Sequence, residues 1–203
     1  MENLNATRVA FACGGTGKDF RSLCAALAAN GYAVSFTYDE EAAAETMTAE
    51  IEAAEGDSMA SRLSAYSSEE LSAAIVETAE RMGGIDLLLY MGELPEDYEA
   101  DGKLLLDLDE NDWDISLGRV ARGFFLSCKF ALPYLISRPG ARVVAVDAYS
   151  GECRGAGERS LTSFVASSAL KAAVEHLETE LSHYGVAAEY RTICEGWIGE
   201  IVG

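Results

Sequence analysis

The most constraining feature of this sequence is a regular alternation of short β-like runs with longer helical runs along the chain. The predicted strands are 8–13, 32–38, 59–63, 85–90, 141–147 and 186–194, and the predicted helices are 20–30, 40–54, 67–82, 111–136 and 162–184. Repeated βα units place their strands in parallel. The sequence therefore predicts a doubly wound α/β fold, with a mostly parallel sheet of about six strands and helices on both faces.

Chain length and composition favour one domain over residues 1–203. The 203 residues are 49% hydrophobic and include only three prolines, and they contain no internal repeat or linker-like stretch. A chain of this size is long enough for one well-buried core and short for two ordinary domains.

The charge balance narrows the choice of partners and location. The formal net charge is -19, and no lysine or arginine cluster interrupts the acidic surface that this implies. Nucleic acid and anionic membrane are therefore poor candidate partners. No apolar stretch approaches membrane-spanning length and no signal-type segment precedes residue 8, so we expect a cytoplasmic protein.

The five cysteines predict neither a disulfide framework nor a zinc site. They form an odd set without a CxxC pair or a nearby histidine ligand, so we expect no metal and a reducing compartment. Four of them, Cys13, Cys24, Cys128 and Cys194, lie among apolar neighbours and are predicted to be core residues. Cys153 lies in a polar, glycine-rich loop and is predicted to be exposed.

Six phrases of the sequence form a recognisable series: "RVAFACGG" with "LAANGYAVSFTY", "GGIDLLLYMG", "DENDWDISLGRVARGFFLSCKFALPYL", "GARVVAVDAYSG", "ALKAAVEHLETELSHYG" and "EGWIGE". In this order and at nearly the expected spacing, they resemble the short-chain dehydrogenase/reductase family over roughly residues 8–200. The resemblance implies a Rossmann-like fold that binds NAD or NADP at the carboxyl ends of the strands, beside the first strand.

The family's glycine-rich turn is only partly matched here. Its members use Thr-Gly-x-x-x-Gly-x-Gly, so that backbone N–H groups approach the cofactor phosphates at a helix N-terminus. The corresponding candidates in this chain are Gly14, Gly15, Thr16, Gly17 and Lys18. Only Gly14 is in register, because Lys18 and Phe20 replace the other two motif glycines. The resemblance thus leaves NAD binding possible but doubtful.

Three further positions bear on the cofactor. Asp39 follows the second strand, where NADP-preferring relatives often carry arginine, so NAD is expected over NADP; the alternative is a solvated helix-start residue. Gly92 lies in the segment Tyr90-Met91-Gly92-Glu93, which replaces the family's Asn-Asn-Ala-Gly motif. Ala65 stands where relatives carry an aspartate that contacts adenine.

The resemblance places four other residue types at the family's catalytic positions. Asparagine, serine, tyrosine and lysine are replaced by Val120, Ala148, Ser163 and Ser167, and a shift of one residue gives Phe164 and Ser168 for the last two. The family's chemistry needs a phenol as general acid and a lysine that lowers its pKa. Possible substitutes nearby are Tyr90, Asp147, Tyr149, Ser150 and Lys171.

These positions favour a non-catalytic family member that acts by association, as a partner subunit or a ligand-sensing domain. The alternatives are an atypical NAD-dependent oxidoreductase acting on a small carbonyl or alcohol, and a binding protein that has reused the cleft. A full-length relative would also continue into a substrate-covering segment after "GWIGEIVG". In the relatives, helices equivalent to 111–136 and 162–184 pair with their copies, so we expect a homodimer, or a heterodimer with an active relative.

Overall fold

The computed structural model describes residues 7–63, 67–94, 98, 102–148, 159–193 and 197–202. Its strands are β1 Arg8–Cys13, β2 Tyr32–Tyr38, β3 Ser58–Arg62, β4 Leu87–Met91, β5 Arg142–Asp147 and β6 Ala187–Thr192. Its helices are α1 Lys18–Ala29, α2 Glu41–Ala53, α3 Ser68–Met82, α4 Glu110–Leu117, α5 Gly123–Ile136, α6 Leu161–Ser182 and α7 Trp197–Val202.

All six strands form one parallel sheet in the order β3-β2-β1-β4-β5-β6. The order reverses between β1 and β4, which is the switch point where open α/β sheets bind ligands. This arrangement confirms the predicted Rossmann-like, doubly wound fold.

Two apolar clusters, one on each face of the sheet, form the core. Phe11, Leu88 and Tyr90 point into one cluster, whereas the neighbouring Ala10 and Leu89 point into the other. The alternation arises because successive side chains on a strand face opposite sides of the sheet. Helices α3, α5 and α6 cover the first face, and α1 and α2 cover the second.

Three cysteines are buried and free, as predicted: Cys13, Cys24 and Cys128. Burial raises the pKa of the Cys13 thiol to about 12, against a smaller lowering by its contact with Ser127. These thiols therefore stay protonated and behave as small apolar residues. Cys153 and Cys194 lie outside the described residues.

The ends of α3 follow the predicted signals. The Ser67 side chain accepts a hydrogen bond from the Glu70 N–H at the start, and Gly83 ends the helix with φ +87°. A hydroxyl at the N-cap satisfies an otherwise unpaired N–H, and glycine adopts the left-handed conformation without steric cost.

The predicted helix 111–136 is instead two α-helices joined by a π-helical turn, Gly118–Arg122. The sequence prediction missed this turn, because helical periodicity does not encode one extra residue. At this point β4 comes close to the helix: a Cβ on Gly92 would lie 3.0 Å from the Val120 Cα. The Tyr90 hydroxyl donates to the Arg119 carbonyl within the widened turn, which supports a π bulge in place of a regular turn.

The short helix α7 is a second difference from the sequence prediction, whose last predicted helix is 162–184. Ile201 of α7 is fully buried on the α1 side of the sheet, and the Arg142 guanidinium donates a 2.6 Å hydrogen bond to its carbonyl. Tertiary contacts hold this six-residue helix, which is too short to carry a periodic signal. None of the helices within the described ranges is long and apolar enough to cross a membrane.

Candidate functional site

The candidate site lies at the carboxyl ends of β1 and β4, on either side of the switch point. The turn 14–17 leaves β1 and leads into α1, whose first backbone N–H groups have no partner within the helix. Gly92 and Glu93 leave the adjacent strand β4. The two segments face each other because the carboxyl ends of neighbouring parallel strands meet at one edge of the sheet.

The carboxylate of Glu93 is bound by the glycine turn. Its Oε2 atom accepts hydrogen bonds from the Thr16 N–H at 3.0 Å and from the Gly17 N–H at 2.7 Å. The Glu93 N–H donates back to the Gly14 carbonyl at 2.9 Å. The turn and Glu93 therefore hold each other through both backbone and side chain.

Each glycine of the turn serves a contact within this chain. Gly14 has φ +104°, and a Cβ there would collide with the Met91 carbonyl. A Cβ on Gly15 or Gly17 would lie 2.6 or 2.8 Å from the Glu93 Oε2 atom. The glycines that were predicted to face a cofactor thus make room for β4 and for a carboxylate.

Burial raises the pKa of Glu93 above the usual carboxyl value. The Gly17 and Thr16 N–H groups oppose that rise, Asp19 adds to it, and Arg21 lowers the pKa slightly. Arg21 also donates to the Thr16 carbonyl at 3.2 Å, so its positive charge lies beside the same turn. A carboxylate in this position is stabilised by N–H donors but is costly to desolvate.

The other predicted cofactor residues are dispersed around this contact. Lys18 is exposed at the first turn of α1, and Gly92 is buried against Val120. Asp39 follows β2 and is partly exposed, with a carboxylate oxygen 3.7 Å from an Arg119 guanidinium nitrogen. Ala65 lies outside the described residues.

A second polar group lies where β5, β6 and α6 meet. The Ser167 hydroxyl donates to one Asp147 carboxylate oxygen at 3.1 Å, and the Tyr190 phenol donates to the other at 2.6 Å. The Arg159 guanidinium donates to the Ser167 oxygen at 2.5 Å and to the Ser163 carbonyl at 3.1 Å. The Ser167 hydroxyl thus links a buried carboxylate to a guanidinium.

The structure places the residues at the four predicted catalytic positions on α6 and on two segments that contact it. Ser163 and Ser167 are buried one turn apart on α6, and Ala148 directly follows Asp147 at the end of β5. Val120 is buried in the π-helical turn, which packs against α6. On α6, the Ser163 hydroxyl lies 3.0 Å from the hydroxyl of Ser160, the N-cap residue of that helix, which is within hydrogen-bond distance.

Of the possible substitutes, Tyr90 donates to the Arg119 carbonyl, and the Lys171 ammonium lies 5.9 Å from the centre of the Tyr190 ring. Tyr149 and Ser150 lie outside the described residues. Within the described ranges, no three His, Cys, Asp or Glu side chains are grouped in a way that could hold a metal ion.

Sequence reasoning missed Glu93, Arg159 and Tyr190. The signal for Glu93 was present, since an acidic residue directly after β4 lies at the same sheet edge as the turn after β1. Arg159 had no helical signal, because it lies before Ser160, the N-cap of α6, and its guanidinium reaches the Ser163 carbonyl and the Ser167 hydroxyl from outside the helix. Tyr190 had no local signal, because only the β5–β6 pairing brings it beside Asp147.

A family comparison gives the fold a name. The model of the short chain dehydrogenase family matches residues 9–193, which is most of the chain. The chain belongs to the short-chain dehydrogenase family.

This chain is similar in sequence to two curated proteins, a dehydrogenase/reductase and a reductase. A probable short-chain type dehydrogenase/reductase of Bradyrhizobium diazoefficiens is 36% identical over 118 residues, which cover 57% of this chain and 39% of that protein. A 3-oxoacyl-acyl-carrier-protein reductase of Staphylococcus aureus is 25% identical over 139 residues, 68% of this chain and 54% of that enzyme. The matches therefore span about two fifths to one half of those proteins.

Solved structures of the family share the fold. A dehydrogenase/reductase from Sinorhizobium meliloti superposes with a TM-score of 0.78 at 26% identity, over 91% of this chain and 71% of that one. A xylitol dehydrogenase solved with bound NAD+ gives a TM-score of 0.79 at 18% identity, over 93% of this chain and 70% of that one. The second likeness shows the fold alone.

The turn 14–17 does not fit the phosphates of a dinucleotide while the Glu93 carboxylate is bound to it. A phosphate bound through the Thr16 and Gly17 N–H groups, just before the first turn of α1, would compete with Glu93, which already accepts from both. A phosphate placed there would also lie against the Glu93 carboxylate.

Proposed function

We propose that this short-chain dehydrogenase relative does not transfer hydride and acts by association, as a partner subunit or a ligand-sensing domain. The observation that carries this proposal is the hydrogen-bonded group of Asp147, Arg159, Ser167 and Tyr190, which includes one matched catalytic position, Ser167, and engages its hydroxyl with Asp147 and Arg159. Here the positions matched to tyrosine and lysine are Ser163 and Ser167.

Neither serine can do the work of the residue that it replaces. Reduction of a carbonyl needs a proton donor whose pKa is close to the working pH, and an alkyl hydroxyl is a far weaker acid than a phenol. The Ser167 proton is also directed at the Asp147 carboxylate, which would oppose a negative charge on the serine oxygen. The Tyr190 phenol points at the same carboxylate, so its proton is held in the same way.

Association is supported by exposed apolar side chains on the two helices that the family uses for pairing. Phe125 of α5 is 59% exposed, and Phe164 and Leu161 of α6 are 57% and 46% exposed. Other apolar residues of segment 111–136, Val120 and Phe124 among them, are absorbed by the chain's own core. We propose a homodimer, or a heterodimer with an active relative, through the exposed remainder of 111–136 and 162–184.

The proposal includes a cytoplasmic location and a limited role for NAD. The three free, buried thiols support a reducing compartment. The formal net charge of -19 makes an anionic membrane a poor partner. If a dinucleotide does occupy the cleft, Asp39 favours NAD over NADP, although its ion pair with Arg119 weakens that preference.

Cofactor oxidation tests the proposal. Purified protein is incubated with NADH or NADPH and a panel of ketones, aldehydes and quinones, and the loss of cofactor absorbance is followed. We expect no rate above background, while an active family member assayed in parallel turns over. Clear turnover that is abolished by Tyr149→Phe or Tyr190→Phe would overturn the proposal and favour the atypical oxidoreductase.

A further inference from the structure

We propose that Glu93 is an intramolecular anion that occupies the phosphate-binding turn and excludes dinucleotides from it. The turn 14–17 that binds the Glu93 carboxylate is a latent phosphate site, and the contact with Glu93 is autoinhibitory. This inference goes beyond the proposed function, because it concerns binding and requires no statement about hydride transfer.

Glu93 and a phosphate in the turn would share the same hydrogen-bond donors. A helix N-terminus binds a phosphate through the few backbone N–H groups that point along its axis. Here the Thr16 and Gly17 N–H groups both point at one Glu93 oxygen, at 3.0 and 2.7 Å. A phosphate and this carboxylate cannot use the same donors, and their like charges repel each other.

Glu93 fits the turn through both its backbone and its side chain. The backbone of Glu93 is fixed by its hydrogen bond to the Gly14 carbonyl, which sets the side chain over the turn. The missing side chains of Gly15 and Gly17 provide the space that the carboxylate fills. Backbone and side chain thus place the negative charge where a phosphate oxygen would otherwise lie.

The Glu93 carboxylate can be displaced from the turn. Burial raises the pKa of Glu93, so its charged form is costly to keep in this place. Of the charged groups near it, Asp19 repels the carboxylate, and Arg21, which also pairs with Glu50 of α2 at 3.4 Å, attracts it. Removing the carboxylate leaves two N–H donors with no side-chain acceptor and a glycine-lined space beside the positive guanidinium of Arg21.

The ligand class follows from this chemistry. Two N–H donors at a helix N-terminus and a glycine-lined space take a phosphate or pyrophosphate group, and the cleft at the switch point takes the attached nucleoside. The latent ligand is therefore a pyrophosphate-containing nucleotide such as NADH or ADP.

A binding titration with matched variants tests the proposal. Glu93→Ala removes the carboxylate, and Glu80→Ala removes one exposed carboxylate from α3 as the control for net charge. Each protein is titrated with NADH, ADP and adenosine to about 1 mM ligand, followed by calorimetry or nucleotide fluorescence. A charge-assisted hydrogen bond to a vacated donor predicts a gain in affinity of at least about tenfold for NADH and ADP in Glu93→Ala. Adenosine, which has no phosphate, should bind all three proteins equally.

Two results would overturn the proposal: equal NADH affinity in Glu93→Ala and Glu80→Ala, or binding by the unchanged protein that is as tight as in Glu93→Ala. Turnover that appears only in Glu93→Ala would instead overturn the proposed function and leave this inference intact.

A second measurement holds even where Glu93→Ala fails to fold. The amide protons of Thr16 and Gly17 are followed by NMR as the pH changes, in the unchanged protein and in Glu93→Gln, which keeps the shape without the charge. We expect both amide signals to follow the ionisation of Glu93 in the unchanged protein and to stay constant in the variant. Identical pH profiles in the two proteins would show that the carboxylate does not occupy the turn.

Discussion

The Tyr190 phenol donates a 2.6 Å hydrogen bond to Oδ2 of Asp147, a carboxylate that is 2% exposed. The other oxygen of Asp147 accepts from the Ser167 hydroxyl at 3.1 Å. One buried carboxylate therefore joins β5, β6 and α6, and its partner Ser167 stands at a position that the resemblance matches to the family's catalytic lysine. A buried charge is stable only while its hydrogen-bond donors remain.

Tyr190→Phe should destabilise the fold. The change keeps the ring and removes one donor from a buried carboxylate, so the free energy of unfolding should fall by roughly 1–3 kcal/mol. Urea denaturation measures the change. Tyr184→Phe, at a tyrosine that is 53% exposed, is the control and should change stability by less than about 0.5 kcal/mol. Equal stability of the two variants would mean that the phenol does not support Asp147.

The ion pair between Arg138 and Asp86 provides a second test of stability. The Arg138 guanidinium binds both Asp86 oxygens, at 2.9 and 3.0 Å, and the Val9 N–H donates to one of them at 2.8 Å. Because the geometry is bidentate and both groups are mostly shielded from solvent, Arg138→Ala should lower the free energy of unfolding by roughly 1–2 kcal/mol. Arg138→Lys should recover only part of the loss, because an ammonium cannot bind both oxygens in this way.

Arg81→Ala is the matched control for the Arg138 variants. Arg81 also pairs with a carboxylate, that of Glu77, but both side chains are at least half exposed. Exposed pairs of this kind contribute about 0.3–0.5 kcal/mol. If Arg81→Ala and Arg138→Ala had equal effects on chemical denaturation, the partly buried, bidentate ion pair of Arg138 and Asp86 would not add stability beyond that of an exposed pair.

Glu93→Gln should change how stability depends on pH. Because the pKa of Glu93 is raised in the folded protein, its contribution to stability is present at low pH and is lost as the pH rises through the folded pKa. Glutamine keeps an acceptor for the turn but cannot ionise. The stability of Glu93→Gln relative to the unchanged protein should therefore increase as the pH rises from the unfolded carboxyl pKa of about 4.3 through the raised pKa of the folded state. Urea denaturation across this range checks it, with Glu80→Gln as the control. A difference that is constant with pH would show that the pKa of Glu93 is not raised.

Most of the fold was predictable from the sequence, because the strands and helices carry their own local signals. The β1 strand, the Ser67 cap and the Gly83 stop lie where apolar pattern and capping chemistry place them. The π-helical turn at Gly118–Arg122 was not predictable, since the close approach of Gly92 to Val120 is a tertiary contact.

The candidate site was predictable only in outline. The glycine turn and the switch point follow from the order of the elements, and so does the position of Asp39 after β2. What fills the turn does not follow, because Glu93 is 77 residues away from Thr16 in the chain. The same applies to Tyr190 and Asp147, which only the strand order brings together.

The last prediction concerns assembly. Phe125 and Phe164 are each more than half exposed, on the two helical segments that pair in the family. Burying two such rings per subunit contributes roughly 1.5–3 kcal/mol per ring, and an aspartate in an apolar interface has no partner for its charge. We therefore expect light scattering to give a dimer mass at micromolar concentration, and Phe125→Asp and Phe164→Asp each to shift it towards the monomer. Leu106→Asp, at a side chain that is 96% exposed outside both helices, is the control and should remain dimeric. A monomer mass for the unchanged protein would refute the homodimer, and dissociation by Leu106→Asp alone would place the interface on the 3-10 turn Leu105–Asp107 instead of on α5 and α6.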